Sequence, residues 1–252
     1  MRLPTRHLIE VMGTVVTIDF FASEASPERD EALRVAEVVL RDVDRTFSTW
    51  KLESPVSRLR RGEVSLAHVP SDVADVLGEC RRLKDLTRGW FDPWALPGGV
   101  DPTGMVKGWA AQRCLRALDS VEASGIIVNA GGDIAVRGLD EEGRVFRVGV
   151  TNPADEMALI AAVEVTSAIA TSGESQRGAH LYNTRDHVFR SSLASGTVVG
   201  PDLATCDALA TALVVGGDEV MEIIHHLDDY FALSVDRNGD LRATPGFPLA
   251  DQ

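Results

Sequence analysis

Basic residues are in short supply. The 252-residue chain carries 25 Lys plus Arg against 38 Asp plus Glu, a formal charge of −13. That balance opposes the phosphate neutralisation on which non-specific nucleic-acid affinity rests, so nucleic acid is not an expected partner. Cysteine is scarce too: Cys80, Cys114 and Cys206 are an odd number without metal-type spacing. Each sits in apolar, helix-like sequence, which reads as three reduced, buried thiols in a reducing compartment. No segment supplies the roughly eighteen consecutive apolar residues that a spanning helix needs. Near the N-terminus, Arg6, His7 and Glu10 interrupt the apolar residues of MRLPTRHLIEVMGTVVTIDFF, and no signal peptide is expected. These absences predict a soluble, cytoplasmic protein with no membrane partner. Neither GxxxxGK[ST] nor GxGxxG occurs, so neither standard phosphate-binding loop is present. There is no low-complexity tract and no convincing short-period repeat.

What the chain does have is 44% hydrophobic residues, enough for one large core or two modest ones. Val15 to Phe21 reads as a strand, and SPERDEALRVAEVVLRDVDRTF has apolar residues at helical spacing behind a Ser-Pro-Glu start. SDVADVLGECRRLKDLT predicts a second helix with Ser71 as its cap, ending near Gly89. The Gly- and Pro-rich GWFDPWALPGGVDPTG reads as an irregular loop, and MVKGWAAQRCLRALDS resumes a helix. From Gly125 the pattern turns to strands: GIIVNAGGDIAVRG, RVFRVGVTNP, and AAVEVTSAIAT over Ala161 to Thr171 as one more. After a polar stretch come the helices CDALATALVVGG and DEVMEIIHHLDDY, then FALSVDRNGDLRAT with an Asn-Gly hairpin signal. Segregated helices and hairpins point to an α+β fold rather than an alternating parallel sheet.

Four groups of residues carry candidate chemistry. Asp207 and Thr211 lie one helical turn apart in an apolar helix. Their oxygens suit a hard cation such as magnesium. Equally, Asp207 can complement the helix N-terminus behind Thr205 as cap, with Thr211 bonded back to a carbonyl. Asp92, Asp101 and Lys107 surround the glycine-rich turn, where backbone groups and a lysine can meet a polar ligand, or where Asx turns and a solvated lysine suffice. Thr171, Ser172 and Gly173 end a strand ahead of His180, a proton acceptor or a surface histidine. Trp50 and Trp90 are either stacking platforms for a planar heterocycle or plain core. The adjacent His225 and His226 face different directions on a helix and have no assigned role.

Taken in order, MGTVVTI, FSTWKLESPVSRL, GWFDP, VDPTGMVKGWA, IIVNAGGDIAVRG, AIATSGESQRGAHL and CDALATALVVGG resemble the ApbE family, the FAD:protein FMN transferases. The likeness runs from Met12 to Gly217 and is strongest to the short cytoplasmic form of actinobacteria. It implies an α+β, ApbE-like fold over residues 1–252, with mixed or antiparallel sheets, helices packed on them and a flavin cleft between subdomains. It implies Asp207, Thr211 and the Gly104 carbonyl as magnesium ligands. Met12, Trp50, Trp90, Phe91, Asp92, Asp101, Lys107 and Leu181 would line the FAD site, bordered by Thr171, Ser172 and Gly173. His180 would accept the proton. The implied reaction transfers FMN from FAD to a threonine hydroxyl on an acceptor flavoprotein and releases AMP.

The chain departs from the family pattern in HLYNTRDH, where the family often has HIxDPxTG: Asn183 stands for Asp, Thr184 for Pro and His187 for Gly. Ser175 replaces an aromatic, and Arg60 an Asn, which places a bulky cation where it can alter how the nucleotide lies. A transferase is therefore set beside two alternatives, a non-catalytic FAD-binding protein and an FAD pyrophosphatase that gives FMN and AMP.

Overall fold

In the computed structural model, residues 4–173 and 181–251 are described. The chain opens with a hairpin of β1 (Thr5–Val11) and β2 (Thr14–Phe21). Its two-residue turn, Met12-Gly13, has φ of 54° and 69°, the left-handed pair that matches the right-handed twist of a tight hairpin. Arg6 forks onto Asp19 across the hairpin, Nε to Oδ1 at 2.6 Å and Nη2 to Oδ2 at 2.8 Å.

Helix α1 (Pro27–Phe47) begins as expected, with Ser26 Oγ accepting from Arg29 N at 3.1 Å and Pro27 in the first turn. It buries Ala32, Ala36, Leu40, Val43 and Phe47, one stripe at helical spacing. Helix α2 (Pro55–Arg60), capped by Ser54, and β1 are additions to the sequence reading. Helix α3 (Ser71–Leu86) forms where expected, but Pro70 holds the cap position and Ser71 is already helical, so its side chain makes no cap. Helix α4 (Thr103–Ala117) follows the irregular loop.

The β-rich middle holds the hairpin of β3 (Gly125–Ala130) and β4 (Asp133–Gly138), then β5 (Phe146–Asn152) and β6 (Asp155–Val165). AAVEVTSAIAT is not one strand. It contains the end of β6 and the start of β7 (Ala168–Gly173), which belong to different sheets. A short ribbon, β8 (Tyr182–Asn183) and β9 (Val188–Phe189), precedes β10 (Ser195–Gly200). Helices α5 (Leu203–Gly216) and α6 (Asp218–His225) lead to the hairpin of β11 (Phe231–Val235) and β12 (Leu241–Ala243).

Eight strands form one sheet in the order β1-β2-β3-β4-β7-β10-β11-β12, every recorded neighbour antiparallel. The join between β4 and β7 is short, Ile134 with Ile169 and Ala135 with Ala168. Alternation of side chains divides the core between the two faces. Val128, Ala135, Ala170 and Val198 share one cluster with α1, α4 and α5, whereas Ile134, Val136, Ile169 and Val199 meet Val150, Val163 and Val165 of the β5–β6 pair. The result is three layers: helices, the large sheet, and a two-stranded sheet over its other face. Among the described residues no helix is long and apolar enough to cross a membrane.

Candidate functional site

A cleft of about 1060 Å³ lies where α4, α5, β7, the loop before α4 and the β5–β6 pair converge. Helix α5 runs through the interior, and twelve of its fourteen residues are buried, so a carboxylate there requires a partner. Asp207 is 2% exposed. Its Oδ2 accepts from Gly108 N at 3.2 Å, and its Oδ1 lies 4.0 Å from Lys107 Nζ. The capping alternative is overturned: Asp202 is the cap, with Oδ1 accepting from Thr205 N at 2.8 Å. Thr205 is inside the helix, and Asp207 lies past its first turn.

One turn on, Thr211 Oγ1 shares a hydrogen bond with Ser172 Oγ of β7 at 3.2 Å. Gly104 faces the same hydroxyl, since a Cβ placed there would stand 3.7 Å from Thr211 Oγ1 and 3.2 Å from Phe91 Cε2. Asp207, Thr211 and Gly104 thus line one part of the cleft. Lys107 bridges toward it from α4, donating a charge-assisted hydrogen bond to Asp133, which is 1% exposed. Asp133 is a site residue the sequence reading left without a role. Its signal was the NAGGD turn, where Gly131 and Gly132 adopt φ of 64° and 100° and deliver the aspartate at the first position of β4.

The irregular loop supplies one wall. Phe91 is buried, with its N–H donating to Thr87 Oγ1 at 3.0 Å. Trp90 is half-buried beneath the Arg185 guanidinium, 4.8 Å from the ring centroid, and packs with Leu181. Asp92 and Asp101 line the cleft but also hold the loop. Asp92 takes Lys84 Nζ at 2.8 Å and Trp94 N at 2.9 Å. Asp101 takes Arg60 Nη1 at 2.9 Å and Thr103 N at 3.1 Å. Arg60 also donates to Gly98 O at 3.2 Å and Pro97 O at 3.3 Å, so it fastens the loop from behind and is not among the cleft residues.

At the rim, Trp50 is 93% exposed, a side chain with one face to the cleft and the rest to solvent. Met12 reaches the cleft from the hairpin turn. Thr171 Oγ1 pairs with Thr197 Oγ1 at 2.9 Å, and Gly173 sits close to the chain beside it, where a Cβ would meet Ala194 O at 2.9 Å. Ser195 Oγ, buried in the cleft wall, has no hydrogen-bond partner among the described residues, and sequence reasoning gave it no role. His180 lies outside the described residues, as does Ser175.

The HLYNTRDH departures fall in the β8–β9 turn. Asn183 is buried, and its Oδ1 accepts from Arg185 N at 2.9 Å and Asp186 N at 3.0 Å. An amide oxygen serves that turn as a carboxylate would. His187 adopts φ of 57°, the left-handed conformation that glycine takes without strain. Thr184 Oγ1 donates to Gly89 O at 2.7 Å and ties the turn to the cleft loop.

The model of the ApbE family matches residues 12–99 and 95–233. The FAD:protein FMN transferase of Haemophilus influenzae is 24% identical, over 84% of this chain and 81% of that protein. That of Vibrio cholerae is 24% identical over 82% and 80%. Among solved structures, the flavin transferase ApbE of Vibrio cholerae superposes with a TM-score of 0.81 at 20% identity, covering 97% of this chain and 98% of that one. The ApbE protein of Thermotoga maritima gives 0.83 at 19% identity, covering 96% and 97%. With matched segments that run from the β1–β2 turn into β11, the chain belongs to the ApbE family.

Proposed function

We propose that this chain, as one domain, is a cytoplasmic FAD:protein FMN transferase: with magnesium it moves FMN from FAD to a threonine hydroxyl of an acceptor protein and releases AMP. The observation that carries the reading is the oxygen set of Asp207, Thr211 and Ser172 beside Lys107, in a cleft at the upper end of ordinary small-ligand pockets of roughly 300–1,000 Å³. Carboxylate, hydroxyl and carbonyl oxygens are the donors a hard cation prefers, so Asp207, Thr211 and the Gly104 carbonyl fit magnesium. Bound there, the cation would polarise phosphoryl oxygens and offset their charge.

The chain's own residues do the rest. Lys107, held by Asp133, presents a fixed ammonium to an anionic phosphate. Trp90 and Phe91 wall the cleft, and Trp50 offers an aromatic face at its rim for a flavin or adenine ring. The threonine oxygen forms a bond to the FMN phosphorus as the bridging P–O bond to AMP breaks, and the hydroxyl proton passes to His180.

The test is to combine the protein with FAD, magnesium and a threonine-bearing peptide, then follow AMP and peptide mass with and without chelator. A chelator-sensitive, FMN-sized mass increase supports transfer. AMP without an adduct supports the pyrophosphatase, and intact bound FAD supports a pure binder. Asn183 is satisfied within its turn and Thr184 is tied to the cleft loop, so these two departures leave the turn intact.

A further inference from the structure

Strand β5 meets the cleft in a way that side chains alone do not account for. Successive side chains of a strand point to opposite faces, so a strand that offers one face to a cavity contributes every second residue. Val148, Gly149, Val150 and Thr151 all line the cleft. Four in a row do so when the strand turns its edge, and with it backbone N–H and C=O groups, toward the cavity.

The pairing of β5 agrees. Its one strand neighbour is β6, in regular antiparallel register from Phe146 to Val150, with the register shifting only beyond that residue. The outer edge of β6 is covered by the C-terminal segment: Glu164 N donates to Pro248 O, and Ala250 N to Ala162 O, each at 2.8 Å. Among the described residues no recorded backbone hydrogen bond reaches the other edge of β5. Open edges are templates for pairing, usually blunted by charge or proline, and Val148 to Thr151 contains neither. Gly149 sits mid-strand with no side chain, where a Cβ would meet Leu159 Cδ1 at 2.7 Å. Leu159 lies over it, 66% exposed, near Met157 at 94%.

We propose that this edge is the docking rail for the acceptor polypeptide. Resting on the transferase reading above, it names the form of the partner: an extended segment that adds as a strand beside Val148 to Thr151 and carries its hydroxyl into the cleft. Main-chain hydrogen bonds would supply affinity, and Leu159 and Met157 stand where they can meet the incoming side chains.

The test uses the full chain with FAD, magnesium and pooled twelve-residue peptides with a central threonine and randomised flanks, labelled products being collected by flavin fluorescence. The best peptide is resynthesised with N-methyl groups on alternate backbone nitrogens. Amide exchange at Val148 to Thr151 is then read with FAD alone and with FAD plus peptide. The proposal expects labelling, protection that requires the peptide, and a roughly tenfold or greater rise in KM for one of the two alternations, from the loss of about two main-chain hydrogen bonds. Labelling without protection, and with both N-methylated peptides accepted equally, overturns the docking rail and leaves the transferase standing. AMP release with no labelled peptide, or no turnover at all, overturns the transferase and the rail together. Protection that rises with protein concentration and ignores peptide assigns the edge to a second copy of the chain and overturns the proposal.

Discussion

At the residue scale, Asp202 and Asp207 divide the capping of α5 from the lining of the cleft. Asp202 caps α5, while Asp207 is buried a turn further on. Asp207→Asn keeps an oxygen for the Gly108 N–H but removes the charge. The expected outcome is a change in unfolding free energy of about 1 kcal/mol or less. Magnesium affinity, measured by titration calorimetry, should fall at least roughly tenfold, a loss seen even for partners behind a metal ligand. Unchanged magnesium affinity would remove Asp207 from the metal site. The thiols give a second prediction. Burial pushes Cys80 and Cys114 up to about 12 from an ordinary 9.0 and moves Cys206 the same way. At pH 8 an alkylating reagent should leave all three untouched in the native protein and modify all three in denaturant. Because these folded-state values are raised, their contribution to stability is complete below pH 9.0 and is lost as pH climbs toward 12. Tyr230, raised by burial to about 12 from 10.0, adds to the same alkaline loss.

These residues also mark what the sequence revealed. Every candidate within the described residues lines the cleft, because a motif series fixes which side chains gather even when spacing alone leaves each one ambiguous. Asp133 and Ser195 escaped notice. The partner of Asp133, Lys107, is 26 residues away and meets it only after α4 folds over β4. Nothing in the string SSLASG distinguishes a serine in a cleft wall from one in a loop.

At the scale of elements, the contact of α4 with α5 depends on Gly108. A Cβ there would stand 2.5 Å from Leu203 O and 3.1 Å from Asp207 Cβ. Gly108→Ala must therefore separate the helices or bend one, at a cost of about 1–3 kcal/mol. It should also lower turnover by displacing Asp207. Asp202→Ala is the control: loss of a cap costs about 1 kcal/mol, and turnover per folded molecule should hold. Denaturant melts with parallel activity assays read both, and equal activity loss in the two variants would show that α5 stability alone governs turnover. Helices with strong periodicity were legible to within a few residues, as α1 illustrates. The missed β1 is an edge strand with Leu8 exposed on its outer face and His7 on its inner one, which blurs the alternation of apolar and polar residues. The split between β6 and β7 was invisible because an apolar run does not state which sheet it joins.

At the scale of the whole molecule, two stretches of chain meet at a short join in the sheet and at the contact of α4 with α5. Strands β1 to β4 with α4 form one side, strands β7 and β10 to β12 with α5 the other. They join in the sheet through the two residue pairs of β4 and β7 and one flanking bond, Val136 N to Ser167 O at 2.8 Å. The candidate site straddles this line: Gly104, Lys107 and Asp133 come from one side, Ser172, Asp207 and Thr211 from the other. A ligand that touches both sets is thus a rivet across the weakest seam of the sheet. At a concentration one hundred times its Kd, FAD with magnesium should raise unfolding free energy by about 2.7 kcal/mol. Most of the added resistance should appear as slowed opening between β4 and β7, so that the loaded molecule yields to heat or force as one body and the empty one parts first along the line where its chemistry resides.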